Sequence, residues 1–255
     1  MDLITADIWI LLGLAAFLAG FIDAIAGGGG LLTIPALLTV GMPPHLTLGT
    51  NKLAATFGSF TASMTFYRQK LFQPQYWLTS ICCTAIGAMI GTFAVSIVNA
   101  DVLEKTLPAI VLATAIYSYL APMDTTHDNT SGRSSRNRWI KATQGITLGF
   151  YDGLAGPGTG AFWTLSTLKL HRLNLLFASG VARSMNFISN GVSLVVFIYL
   201  GYVNWLIGLT MGVCIMAGAF IGARSAIKFG SRFIRPVFIF MVSAMAAKLC
   251  WEAWL

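Results

Sequence analysis

The stretch Gly20-Phe21-Ile22-Asp23-Ala24-Ile25-Ala26-Gly27-Gly28-Gly29-Gly30 returns 129 residues later as Gly149-Phe150-Tyr151-Asp152-Gly153-Leu154-Ala155-Gly156-Pro157-Gly158-Thr159. Six of the eleven positions are identical: the leading Gly-Phe pair, the Asp, the Ala, and two glycines of the cluster. Each copy sets an acid and a glycine cluster inside apolar sequence. Glycine at that density forfeits helix stability, so a helix running into either cluster is expected to break. In lipid, the freed backbone groups are tolerated only where protein buries them or a cavity solvates them. A duplicated break of this kind points to the central binding site of a membrane transporter.

The surrounding composition agrees. Of 255 residues, 56% are hydrophobic and 10% charged, and the mean hydropathy is +0.74. Soluble domains carry about 25% charged residues. Runs such as Trp77–Val98 and Val203–Ala223 reach the ~20 residues needed to cross a bilayer. The expected fold class is an all-α polytopic membrane protein. The first apolar run has no basic n-region and no small-residue cleavage site, so it reads as a retained membrane segment.

The net charge of +7 raises the question of nucleic acid, and its placement answers it. Twelve of the sixteen Lys and Arg residues fall in four short connections, around Arg68 and Lys70, from Arg133 to Lys141, at Lys169 and Arg172, and from Arg224 to Arg235. That is the positive-inside bias of a multi-pass membrane protein, not a nucleic-acid surface. Cys82, Cys83, Cys214 and Cys250 lie in apolar segments without CxxC spacing, so neither a disulfide framework nor a metal site is expected. Cys83 and Cys214 match at an offset of 131; packing as small hydrophobes is the default reading. His45, His127 and His171 fall in loops without metal-ligand spacing. No cofactor motif is present. There is no GxSxG or HExxH, which argues against an enzyme, and no GxxxxGK[ST], which argues against ATP as the energy source.

The polar stretch Met123–Asn137 divides the chain. The expected organisation is a first repeat over 1–122, a cytoplasmic linker over 123–139 and a second repeat over 140–255. Spans are expected at Leu46–Phe66, Trp77–Val98, Val102–Ala121, Leu173–Leu200, Val203–Ala223 and Ile234–Trp251. The regions Ile8–Val40 and Ile140–Leu170 contain the breaks. The repeat continues past the glycines: Gly49-Thr50-Asn51-Lys52 matches Gly180-Val181-Ala182-Arg183, and Gly87-Ala88-Met89-Ile90-Gly91 matches Gly218-Ala219-Phe220-Ile221-Gly222. The later GxxxG pairs suit close helix packing.

With the basic connections in the cytoplasm, Leu46–Phe66 runs inward and Leu173–Leu200 outward. Both termini then lie in the periplasm, and the halves are inverted repeats. Each half is a glycine-broken helix pair plus three spanning helices. The alternative is eight full crossings in two parallel halves.

Lys52 and Arg183 are the sharpest candidates. Each is a cation inside an apolar run, at matched positions. Such a residue costs roughly 2.5–3.5 kcal/mol on insertion scales and faces a cavity or a partner. Snorkelling to the interface or pairing with Asp23 or Asp152 are the structural alternatives. The backbone of Gly27, Gly28, Gly29 and Gly30, and that of Gly156 and Gly158 with the Thr159 hydroxyl, open the next half-helix, whose N-terminus attracts anions. Two half-helix ends and two cations make a site for a small anion. Asp23 and Asp152 either cap the orphan N–H groups of each break or titrate as coupling groups. Asn51 adjoins Lys52. On Leu173–Leu200 the polar residues Ser184, Asn186, Ser189, Asn190 and Ser193 form a stripe, of which Asn186 is a candidate contact; such stripes more often hold helices together.

The glycine motif from Gly20 to Gly30 and the Gly49–Lys52 tetrapeptide resemble the sulfite exporter TauE/SafE family, most of all its YfcA-like branch. The resemblance covers nearly the whole chain. It implies a bacterial inner-membrane protein of two related halves that moves a small sulfur-containing anion such as sulfite or an organosulfonate. In the second half Arg183 stands where such proteins often have lysine, and Gly-Pro-Gly-Thr replaces the glycine run. The expectation is a secondary transporter, an exporter, working by alternating access, with an anion channel as the competing reading and a membrane-embedded scaffold or enzyme as the more remote ones.

Overall fold

A computed structural model describes residues 6–103 and 138–230, with isolated positions at 105, 106, 109, 233, 234 and 236. The expected spans Val102–Ala121 and Ile234–Trp251, and the Met123–Asn137 stretch, lie wholly or mostly outside these residues. Among the described residues the chain forms helices and no β-strand. The full helices are α1 Ala6–Ile25, α2 Gly29–Thr39, α3 Pro44–Arg68, α4 Leu78–Ser96, α5 Arg138–Leu154, α6 Thr159–His171, α7 Leu175–Tyr199 and α8 Trp205–Phe229.

The boundaries follow local chemistry. Both glycine clusters interrupt helix as expected: α1 gives way to α2 across Gly27, at φ 81°, and α5 to α6 across Gly156 and Gly158, at φ 90° and 75°. Such φ values suit glycine and few other residues. The Pro43-Pro44 pair starts α3, where a proline's fixed φ is already helical. Asn174 and Asn204 cap α7 and α8, each side chain accepting the N–H three residues on. His45 and His171 lie at helix ends rather than in loops.

The two sequence halves interleave in space. α1 of the first half packs along α8 of the second, and α5 of the second along α4 of the first. Glycines make both seams. A Cβ on Gly218 or Gly222 would meet the backbone of Phe17 or Phe21, and one on Gly87 or Gly91 the backbone of Ile146 or Phe150. These are equivalent contacts at the repeat's own offsets. The GxxxG pairs therefore do pack helices closely, and each does so against the other half. Cys214 approaches Gly13 of α1, and Cys83 approaches Gly145 of α5.

At the centre α3 lies against α7. Their contacts run in opposite order: Gly49 meets Phe197, Lys52 meets Asn190, and Ser63 meets Ser184. The two helices are antiparallel. By the same reading α8 follows α3, with Gly208 at Leu53 and Gly212 at Phe57, while α4 follows α7, with Thr84 at Met185 and Val95 near Phe197.

Outward faces are apolar, with Ile10, Leu14 and Leu18 on α1, Ile86, Ile90 and Phe93 on α4, and Leu206, Val213 and Phe220 on α8 all exposed. Polar and charged groups, including Lys52, Asp152 and Arg183, are buried. This inside-out distribution suits a bilayer as solvent. Among the described residues four helices are long and apolar enough to cross a membrane: α1, α4, α7 and α8. α1 has 20 residues and measures about 30 Å, and its start at Ile8, Trp9 and Leu12 shares a cluster with Leu37, Val40 and Met42 beyond the break, so α1 and α2 fold back on each other. One helix differs in composition from the sequence reading. α3, read as a span, has the length but not the composition, because Asn51, Lys52 and a series of Thr and Ser residues dilute it. It is shielded instead by burial between α7 and α8.

Candidate functional site

Both breaks converge on one cavity. It is lined from the first half by Asp23, Gly29, Gly30, Thr33, Asn51 and Lys52, and from the second by Asp152, Gly156, Gly158, Thr159, Gly160, Asn186 and Asn190. About 480 Å³ of space free of protein atoms lies among these residues, open solvent at the mouth included.

Lys52 is placed by α3, eight residues into a helix of 25. Its ammonium donates to Asp152 Oδ1 at 3.0 Å and to Asn190 Oδ1 at 2.9 Å. Its side chain is only 2% exposed, so the pair is a buried one. Beside it Asn51 Oδ1 accepts the Thr33 hydroxyl at 2.5 Å. Lys52 therefore does not snorkel; it stands in the cavity wall with a partner.

Asp23 and Asp152 occupy equivalent places but are bonded differently. Asp23 Oδ1 accepts the backbone N–H groups of Gly28 and Gly29, both at 3.0 Å. It thus caps α2 in place of the usual preceding side chain. Two of the N–H groups expected to be open to an anion are taken by this carboxylate. Asp152 is bonded by side chains: Lys52, the Thr159 hydroxyl at 3.0 Å, and the Ser189 hydroxyl.

Arg183 is fully buried and is not part of the cavity wall. Its Nη1 lies 4.0 Å from Asp23 Oδ1. Its Nη2 donates to Gly160 O at 3.2 Å and to Thr164 Oγ1 at 3.4 Å, while Nε and Nη1 have no hydrogen-bond partner. A Cβ on Gly27 would overlap the Gly160 backbone and press on Nη2. Arg183 thus sits behind the point where the two breaks touch. Gly27 and Gly28 are likewise absent from the lining.

Of the sequence candidates, Lys52, Asn51, Gly29, Gly30, Gly156, Gly158, Thr159, Asn186, Asp23 and Asp152 come together around one cavity. Thr33, Ser189 and Asn190 were missed as site residues. Asn190 had a signal: it stands seven residues after Arg183 and four after Asn186, on one helix face. Thr33 had none, since a single Thr after a glycine run is unremarkable. Among the described residues no group of His, Cys, Asp and Glu is arranged to hold a metal.

A helical bundle that is apolar outside, with helix breaks and paired charges around an internal cavity, defines a multi-pass membrane transporter. Comparison with known proteins makes the assignment narrower. The sequence profile of the family described as sulfite exporter TauE/SafE matches residues 12–249, and the chain belongs to that family. It is similar to the probable membrane transporter protein ORF9 of a Sinorhizobium species, 39% identical over 92% of this chain and 89% of that one. It is also similar to the probable membrane transporter protein YfcA of Escherichia coli K12, 39% identical over 93% of this chain and 88% of that one. A probable membrane transporter protein of Haemophilus influenzae is 36% identical over 96% of both chains. No solved structure matches the chain.

Proposed function

We propose that the chain is a secondary transporter, most naturally an exporter, of a small sulfur-containing oxyanion such as sulfite or an organosulfonate. The single observation that carries this is Lys52. It is a buried ammonium in the wall of a cavity formed where two helix breaks meet. Asn51, Thr159, Asn186 and Asn190 supply neutral hydrogen-bonding groups around it. The sulfur chemistry comes from the family description, and so does the outward direction. A transport role, not catalysis, also fits the names of the relatives.

The mechanism we assign is alternating access by inverted repeats. Three observations support it. The equivalent helices α3 and α7 are antiparallel. The α1–α8 and α4–α5 seams repeat the same glycine contacts with the halves exchanged. Each intramembrane cation faces the acid of the opposite half, Lys52 with Asp152 and Arg183 with Asp23. A bundle with this internal two-fold can expose one central site to either side by rocking. The sites of the sequence halves, 1–122 and 140–255, are then complementary parts of one pathway. Inner-membrane insertion with both termini in the periplasm and the linker in the cytoplasm follows from the basic connections.

The test is reconstitution into liposomes with sulfite, sulfoacetate and isethionate. Saturable counterflow of at least one is expected, abolished by Lys52→Ala. Flux that never saturates and shows no counterflow would instead make the protein a channel. No flux of any of the three would sink the reading.

A further inference from the structure

Resting on that transport reading, we propose that Asp152 is the proton-accepting group of the cavity and Asp23 a fixed cap, so that one proton and one monovalent anion occupy the site together.

The difference lies in what each carboxylate is bonded to. Asp23 Oδ1 holds two backbone N–H groups, Gly28 and Gly29. An N–H donates only, and these two are fixed by the break itself. A proton on Asp23 would weaken both bonds, and with them the cap of α2, and neither N–H has another acceptor to turn to. Asp152 receives no backbone N–H from its own break. Its partners are two hydroxyls and one ammonium. A hydroxyl both donates and accepts, and each of these has a standing alternative acceptor. Thr159 Oγ1 also bonds Gly156 O at 2.8 Å. Ser189 Oγ also bonds Met185 O at 3.0 Å. Protonation of Asp152 therefore strands neither hydroxyl.

The one partner it does strand is Lys52. The ammonium keeps Asn190 and loses its counter-charge, on the wall of the cavity. An anion takes the vacated place. Before loading, Asp152 and Lys52 sum to zero charge. After loading, a neutral Asp152, Lys52 and a monovalent anion again sum to zero. The buried site never carries an uncompensated charge, which is the costly condition.

Among the described residues the other charged group on the cavity wall is Asp23, which is held by the Gly28 and Gly29 N–H groups and faces Arg183. α4, which packs along α5, has no charged residue in Leu78–Ser96. α7 contributes Arg183, which faces Asp23. α6 carries Lys169 and His171 in its last turn; His171 meets Gln144 of α5, eight residues along the helix from Asp152. On α5 itself Lys141 donates to Tyr76 O.

Coupling one proton to one monovalent anion makes the cycle electroneutral. Net outward flow then occurs only while the inside-to-outside ratio of the anion exceeds the ratio set by the pH difference.

The test uses full-length protein in liposomes with isethionate, whose charge is constant in mildly acid to neutral buffer. Wild type should accumulate isethionate on the more alkaline side, unaffected by an imposed membrane potential. Asp152→Asn should lose that accumulation, and whatever isethionate exchange it retains should no longer respond to the pH difference. Asp23→Asn should keep the pH drive in whatever protein inserts. Accumulation that survives Asp152→Asn, or that follows membrane potential, overturns the proposal while leaving transport itself intact. Should Asp152→Asn fail to insert, the Thr159→Val/Ser189→Ala pair decides: a moved pH midpoint of uptake supports the proposal and an unmoved one overturns it. A readout without any anion is the infrared difference between acid and alkaline buffer. A carboxylic-acid C=O band lost in Asp152→Asn but present in Asp23→Asn is expected, and its persistence in Asp152→Asn overturns the assignment.

Discussion

Lys52 and Asp152 stand 100 residues apart in the chain and 3.0 Å apart in the structure, with both side chains almost wholly buried. The repeat maps this pair onto Arg183 and Asp23, which lie 4.0 Å apart. The cation of each half thus meets the acid of the other, so the two halves are tied at their breaks by crossed charges. The ties are unequal. The Lys52 pair lies in the cavity wall, and the Arg183 pair lies behind it.

Removing one member of a buried ion pair leaves the other uncompensated, at a cost of about 3–5 kcal/mol. Lys52→Ala should therefore abolish anion counterflow and also lower the thermal stability of the purified protein. The double variant Lys52→Met/Asp152→Asn removes both charges. It should recover most of the lost stability and none of the counterflow. A double variant that transports would show that Lys52 acts only as a structural counter-charge.

Arg183 should behave differently from Lys52. It touches Gly160 O, Thr164 and the edge of Gly27, none of which needs an anion present. Arg183→Ala should cost stability, but less than Lys52→Ala does through its pair, because Asp23 is partly exposed and keeps the Gly28 and Gly29 N–H groups. Its effect on the concentration for half-maximal counterflow should be less than about threefold, under the 1.4 kcal/mol that a tenfold change represents. Arg183→Lys keeps the charge but loses the planar fork, so it should recover only part of the stability. A large rise in half-saturation with normal stability would return Arg183 to the binding site.

The glycines separate backbone need from space. Gly27 has φ 81° and its Cβ would overlap Gly160, so Gly27→Ala should fail to accumulate folded protein. Gly41 has φ 77° with nothing within 4 Å, so Gly41→Ala should cost only the αL penalty of about 1–2 kcal/mol. Gly30 lines the cavity, and a methyl there would sit 3.6 Å from Pro157, an ordinary contact. Gly30→Ala should fold normally and lose flux by occupying anion space. Equal stability of the Gly27 and Gly41 variants, by thermal unfolding, would contradict this account.

Much of the site was legible because its signals are local. Glycine clusters, an acid four residues before each, and a cation after a Gly-x-x tripeptide are visible in a single line of sequence. The matched offset then brings them together without any structure. The differences arise where contacts are long-range. No sequence rule says that α1 packs on α8 and not on its neighbours, since a GxxxG pair names a close approach but not the partner. Arg183 and Lys52 look identical in sequence. Only the asymmetry of the breaks, Gly160 against one and open space beside the other, puts one behind the wall. Nor does composition say what shelters α3: its Asn51, Lys52 and hydroxyl residues are covered by α7 and α8.

The orientation of the halves gives the last prediction. Thr39 ends α2 and Lys169 lies in the last turn of α6, and both are exposed. They occupy corresponding ends of the two breaks' second helices. If the repeats are inverted, these ends face opposite sides of the membrane, because each break returns its chain to the side from which it entered. Basic residues agree: Lys169, His171 and Arg172 cluster at the second end, and no Lys or Arg lies between Thr39 and Lys52 at the first. In a background lacking native cysteines, Thr39→Cys should react with a membrane-impermeant maleimide added to intact spheroplasts. Lys169→Cys should react only after the membrane is opened. Labelling of both from the same side would require parallel halves, and the crossed pairing of Lys52 with Asp152 and Arg183 with Asp23 would then lose its two-fold explanation.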